Sequence, residues 1–180
     1  MNHVPRTDAE WEAAFASYDE PTYRDALAFL NPKDIVLDIG AGNLRFAKRA
    51  AKRVKQVFAI EQRAELIPEK LPHNVQVFCG DARTVEYPNN LTAAILLMRH
   101  CQHFSLYREK LERVGCKTLI TNARWRMDVE RIDLHATRIA FSNFLGGWYA
   151  CACGAVGFKE NAVISDAVIE LSECPRCLKN

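Results

Sequence analysis

Hydrophobic and polar positions alternate between two periods along most of the chain. Ile35, Val36, Leu37 and Ile39 form a compact β-branched run that stops at Gly40-Ala41-Gly42, as a buried parallel strand does on entering a tight turn. The next stretch has helical spacing. Leu44, Ala47, Ala51 and Val54 make an apolar stripe, and Arg45, Lys48, Arg49, Lys52 and Arg53 take the other face, predicting a helix over 44–54. The alternation continues with a strand over 56–60, a short helix over 64–70, strands over 75–79 and 93–98, a helix over 105–113 and a strand over 118–121. Five strands alternating with helices predict an α/β fold: a Rossmann-like, mostly parallel sheet with helices on both faces and ligands bound beyond the carboxyl ends of the strands.

The flanks read differently. Trp11, Ala14, Phe15 and Tyr18, then Tyr23, Ala26, Leu27 and Leu30 after Pro21, predict two short helices over 8–30. After Trp125 a polar helix is expected over 127–144, followed by a break at Gly146-Gly147 and two strand-like runs over 148–158 and 167–171. The chain therefore divides into a main domain over 1–145 and a small C-terminal hairpin unit over 146–180.

Composition narrows the function classes. With 180 residues and 49% hydrophobic content the chain can bury a proper core, which excludes a disordered tail protein. A net charge of +2 gives no global field for polyanions, so nucleic-acid contact must come from local patches. The longest unbroken apolar run is residues 93–98, far below the roughly 20 residues of a membrane span, and the opening residues carry no signal-peptide core. A cytoplasmic protein with no membrane partner is expected. In a reducing compartment closely paired cysteines read first as metal ligands, while Cys79 and Cys116 read as buried strand residues.

The candidate chemistry begins at the strand ends. Asp38 lies near the end of the first strand, Glu61 at the end of the second and Asp81 at the end of the third, so a parallel sheet brings three carboxylates to one crevice. Glu61 can accept both hydroxyls of a ribose, Asp81 can accept from an adenine amino group, and Asp38 can support the turn and attract the amino end of a ligand. A dehydrogenase fingerprint would carry a third glycine where this chain has Phe46.

This set resembles the class I S-adenosylmethionine-dependent methyltransferases, whose first motif is an acid, an apolar residue and Gly-x-Gly. The resemblance covers 34–121 and implies a seven-stranded family fold, with S-adenosylmethionine held by Asp38, Gly40, Gly42, Asn43, Glu61, Asp81 and Ala82. Within the class, Val57-Phe-Ala-Ile-Glu61 and the basic helix before it look most like the ribosomal RNA adenine dimethylases. Their Asn-x-Pro-Tyr/Phe motif after the fourth strand, which holds the target amine, is replaced here by Met98-Arg-His-Cys-Gln102.

That turn is the best candidate for acceptor contact. His100 or His103 could serve as general base, because an imidazole titrates near operating pH; a helix-capping or merely exposed histidine is the plainer reading. Cys101-Gln-His-Phe-Ser105 is also similar to the nucleophile loop of DNA cytosine methyltransferases, where a cysteine thiolate adds to the base. The proline before that cysteine is His100 here.

Cys151-Ala-Cys153 and Cys174-Pro-Arg-Cys177 are two close pairs separated by residues that read as a hairpin, and four thiolates there can fill a tetrahedral zinc shell. The arrangement resembles a zinc ribbon. A closed four-thiolate site leaves no position for catalysis, so the zinc would be structural. Trp148, Tyr149, Phe158, Arg176 and Lys179 could contact nucleic acid or pack the hairpin. Two basic groups could meet RNA phosphates: Arg45, Lys48, Arg49, Lys52, Arg53 and Lys55, and Arg124, Arg126, Arg131 and Arg138. The combined expectation is an S-adenosylmethionine-dependent methyltransferase with RNA as favoured acceptor, a small molecule or protein remaining open. The competing expectation is a non-catalytic, zinc-stapled adaptor of the same fold that binds a protein or RNA partner.

Overall fold

A computed structural model describes residues 20–125, 128–161 and 165–177. The first of the two expected N-terminal helices lies outside these residues; the second is α1, over 20–28. The chain continues through β1 (Ile35–Ile39), α2 (Arg45–Ala50), β2 (Gln56–Glu61), β3 (Val75–Cys79), β4 (Ala93–Leu96), α3 (Phe104–Arg113), β5 (Thr118–Thr121) and β6 (Glu130–Asp133). These strands form one sheet in the order β3-β2-β1-β4-β5-β6, parallel except for β6. The order reverses direction at β1/β4, the switch point beyond which such sheets bind ligands.

Strand alternation distributes the core between the two faces. Val36, Val57, Ala59 and Ile95 meet Ala26 and Leu27 of α1 and Phe46, Ala47 and Ala50 of α2. Leu37, Ile60, Ala94, Leu96 and Leu119 meet Phe104, Tyr107 and Leu111 of α3 on the other face. Each buried Leu or Ile contributes on the order of 1.5–3 kcal/mol, so both helical layers are held mainly by apolar burial.

Three expectations need correction. The stretch over 64–70 is a single 3-10 turn, Ala64–Leu66, because Pro68 and Pro72 leave no room for a helix. Where a polar helix is expected over 127–144, the described residues from 128 onward form instead β6, a turn and a 3-10 turn at Phe141–Asn143. There Ile132 is the buried residue of an edge strand whose neighbours face solvent, and β5 offers an open edge for antiparallel pairing. Cys79 is exposed rather than buried, since β3 is the outer strand of the sheet; Cys116 is buried as expected.

A second, three-stranded sheet follows. The run over 148–158 is split by the Cys151–Gly154 turn into β7 (Gly147–Cys151) and β8 (Val156–Lys159), an antiparallel hairpin, and β9 (Ser165–Leu171) runs parallel to β7 on its other side. The parallel pairing brings the end of β9, and with it Cys174 and Cys177, to the end of β7 where Cys151 and Cys153 lie. Among the described residues no helix is long and apolar enough to cross a membrane.

Candidate active site

The parallel register of β1, β2 and β3 places Asp38, Glu61 and Asp81 at the same edge of the sheet. Asp38 is buried, and its Oδ2 atom has no hydrogen-bond partner among the described residues. Burial, reinforced by the nearby charge of Glu61, raises its pKa to about 7. An orphaned carboxylate oxygen in this position calls for a donor or cation that the protein itself does not provide.

The glycine turn beside it is shaped for close approach. Gly40 has φ +71°, and a Cβ there would stand 2.2 Å from the Met98 side chain. Gly42, at φ +55°, would point a Cβ into open space with nothing within 4 Å. Left-handed backbone explains both glycines, and the room beyond Gly42 is where a ligand can meet main chain. Asn43 accepts from the Arg45 amide through Oδ1 and thereby orders the entry to α2.

Glu61 anchors this turn from the second strand. Its Oε2 accepts the Gly42 amide at 2.7 Å, and its Oε1 accepts the amide and Nε of Arg63 at 3.0 and 3.1 Å. Oε1 is thereby filled, while Oε2 keeps a further lone pair, so a ribose hydroxyl can still be met there while the turn stays tied. Asp81 is gripped by Arg83, whose side-chain and backbone hydrogen bonds hold its carboxyl down to about 2. An adenine amino group there would share the carboxylate with Arg83.

The loop beginning at buried Ala82 is stapled from α3. Lys110 Nζ donates to the carbonyls of Ala82, Arg83 and Val85 at 2.8, 3.1 and 2.6 Å and lies 4.3 Å from the centre of the Tyr87 ring. Sequence reasoning missed this lysine, because only the tertiary contact distinguishes it from other polar residues on an amphipathic helix.

The three residues expected at the acceptor do not act together. His100 and Cys101 line a cleft of about 520 Å³ over the ends of β4 and β5. His103 instead stacks edge-on against Tyr107, at 6.2 Å between ring centres, and lies near enough to Asp81 for its charge to lower that carboxyl. Burial pushes the Cys101 thiol up, the reverse of what a thiolate nucleophile needs.

The opposite wall of the cleft is the second sheet. Arg124, one of the arginines expected to meet RNA, is buried and clamped between Glu130 and Glu170 at 2.6 and 2.7 Å, joining the two sheets. Arg138 pairs with Glu112, Arg131 is exposed, and Arg126 lies outside the described residues. In the α2 group, Arg49 pairs with Glu20, Arg45 and Arg49 cover the Tyr23 ring, and Arg53 donates to the Leu27 carbonyl; Lys52 and Lys55 are exposed. Much of both groups therefore holds the structure together.

The Sγ atoms of Cys151, Cys153, Cys174 and Cys177 all lie within 4.8 Å of one another, with Cys151 to Cys177 at 3.5 Å and Cys153 and Cys177 each 3.8 Å from Cys174. A tetrahedral metal–thiolate shell with bonds of about 2.3 Å has sulfur–sulfur edges of roughly 3.8 Å, so the cage fits zinc. Gly154, at φ +92°, lets the first pair turn so that its amide donates to the Cys151 carbonyl, and the Cys177 amide donates to the Cys174 carbonyl.

A parallel sheet of this order, with a glycine turn after β1 and acids ending β1, β2 and β3, defines the Rossmann-like fold of the S-adenosylmethionine-dependent methyltransferases. The chain belongs to the ribosomal RNA adenine dimethylase family, whose model matches residues 23–112, half its length. It is 43% identical over 70 residues to the "Probable ribosomal RNA small subunit methyltransferase A" of Methanosarcina barkeri, an alignment covering 35% of this chain and 24% of that protein. The corresponding Methanosarcina mazei protein is 37% identical over 68 residues, covering 35% and 25%. The chain thus aligns with about a quarter of these relatives' length. Among solved structures, the 23S rRNA methyltransferase ErmE superposes with a TM-score of 0.50 at 26% identity, over 57% of this chain and 45% of that one. A dimethyladenosine transferase from Plasmodium falciparum gives 0.50 at 20% identity, over 57% and 40%, a likeness of fold.

Proposed function

We propose that this protein is an S-adenosylmethionine-dependent methyltransferase that modifies RNA. The observation that carries the cofactor reading is the buried Asp38 carboxylate, with one oxygen unpartnered, beside the open space at Gly42. Asp38 would hold the ammonium end of the cofactor, the lone pair left on Glu61 Oε2 a ribose hydroxyl, and Asp81 with the Ala82 loop its adenine. S-adenosylmethionine supplies an inherently electrophilic methyl group, so the protein's task is chiefly to align an acceptor and exclude water. His100, exposed at the edge of the cleft, would be the residue to take a proton from a nitrogen or oxygen acceptor, a reading supported by its position in the cleft lining, from which His103, beside Asp81, is absent. The raised Cys101 thiol argues against the addition chemistry of cytosine methyltransferases.

RNA is favoured by the family, by the printed names of the relatives and by the arginines around the cleft. The four cysteines would hold one zinc ion in a closed structural site that ties together the ends of β7 and β9. The test is transfer of a labelled methyl group from S-adenosylmethionine to ribosomal RNA. Label recovered in RNA nucleosides, and lost with Asp38→Asn, is the expected result. Cofactor binding without transfer to RNA would move the assignment to another acceptor, and absence of both would favour the non-catalytic adaptor.

A further inference from the structure

The cleft is built in large part by residues that the family match does not reach. One wall is the turn after β4, with Arg99, His100 and Cys101; the others are Trp125 after β5 and the cysteine knuckles, with Gly154 and Arg176. Only the first wall falls within 23–112. At about 520 Å³ the cleft lies inside the ~300–1,000 Å³ range of small-molecule sites, and it opens over β4 and β5, next to the switch point at β1. The described residues lining it include no carboxylate, while Arg99, Arg124 and Arg176 are all present. Glu130 and Glu170 already neutralise Arg124, and a zinc-loaded four-thiolate cage is itself anionic, so Arg99 and exposed Arg176 are the local cations left to pair with phosphate.

An aromatic row leads out of the cleft. Trp125, in its lining, meets Trp148 edge-to-face at 6.3 Å between ring centres, and Trp148 meets Phe158 at 5.1 Å. Trp148 and Phe158 are paired across β7 and β8, yet they are 47% and 40% exposed. The opposite face of the same strand behaves as a core should: Tyr149 packs against Phe141 and Phe144. Large rings left in water on one face only, continuous with a cleft that offers Arg99 and Arg176, match the needs of unpaired nucleobases, which present flat π-faces on an anionic backbone.

Resting on the RNA reading above, we infer that the exposed Trp148–Phe158 row and Arg176, on the sheet that the family match does not reach, form a stacking platform for single-stranded RNA beside the cleft. Unpaired bases stack on the Trp148–Phe158 row, and Arg99 and Arg176 meet the backbone. A duplex keeps its bases stacked on one another and cannot use the row.

The test is fluorescence anisotropy of the zinc-loaded 180-residue chain with a labelled single-stranded RNA of about a dozen nucleotides, and with the same RNA as a duplex. It is run on the native protein, Trp148→Ala, Phe158→Ala, Trp148→Phe and, because a ring truncation could unfold the small sheet, the surface variant Arg176→Glu. S-adenosylhomocysteine affinity and oligomeric state are measured on each. The expected result is preference for the single strand and a loss of roughly five- to one-hundred-fold in the alanine variants. Trp148→Phe should retain most of the binding, Arg176→Glu should weaken it, and S-adenosylhomocysteine affinity should stay unchanged throughout. RNA binding untouched by all four variants, equal binding of duplex, or a ring variant that changes oligomeric state instead would overturn the inference, the last assigning the row to contact between copies. Loss of S-adenosylhomocysteine binding from the native protein would instead strike the methyltransferase reading.

Discussion

Asp38 concentrates the site's electrostatics in one side chain. A carboxyl whose pKa is raised by burial favours the protonated form in the folded protein, so its contribution to stability is fully present below the ordinary carboxylate range and is lost as pH rises through about 7. A cationic ligand group reverses the preference, since it binds the ionised form. S-adenosylhomocysteine affinity should therefore increase as pH rises from about 6 to 8, with proton release that differs between buffers of different ionisation enthalpy. Asp38→Asn should bind more weakly and show neither dependence. Calorimetry across that range checks both; a pH-independent affinity in the native protein would mean that Asp38 does not meet the ligand's cation.

At the level of elements, the joint between the two sheets is the feature with most at stake. Arg124 is buried between Glu130 on β6 and Glu170 on β9, so Arg124→Ala would leave two carboxylates facing each other without their cation. Truncating one partner of such a buried cluster typically costs about 3–5 kcal/mol, and chemical denaturation should show a loss of that order. A loss below ~1 kcal/mol would mean that water reaches the joint. The cysteine cage predicts a second element-scale effect: one zinc per chain by metal analysis, and selective loss of the β7–β9 sheet's near-ultraviolet signal on chelation. A metal-free preparation with that sheet intact would contradict the zinc assignment.

The same scale shows what was legible in the sequence. β1, β2, β4 and β5 were readable because compact apolar runs have few other stable uses than a buried strand, the outer β3 because Val75, Val77 and Phe78 still break the helical period, and the three acids because they lie at the ends of β1, β2 and β3. The cysteine pairs announced themselves by spacing. β6 was not readable: Glu130-Arg-Ile-Asp133 has one apolar residue, and its strand conformation comes from the open edge of β5. The role of Arg124 was hidden for a related reason, since a partner 46 positions away, Glu170, leaves no local pattern. His103 looked equivalent to His100 in the sequence, and only the start of α3 separates them, one beside Asp81 and the other over the cleft.

Across the whole molecule, labour divides between two halves of one sheet edge. β1, β2 and β3 carry the acids and the glycine turn for a nucleoside-bearing cofactor; β4, β5 and the cysteine sheet enclose the place for an acceptor, with β1 and β4 adjacent between them. The most direct measurement is a calorimetric titration of the full chain with S-adenosylhomocysteine, which addresses the cofactor half without any known acceptor. Saturable binding in the micromolar range, at one ligand per chain and weakened at least tenfold by Asp81→Ala, is the predicted result. No heat of binding at millimolar ligand would contradict the methyltransferase account at its centre.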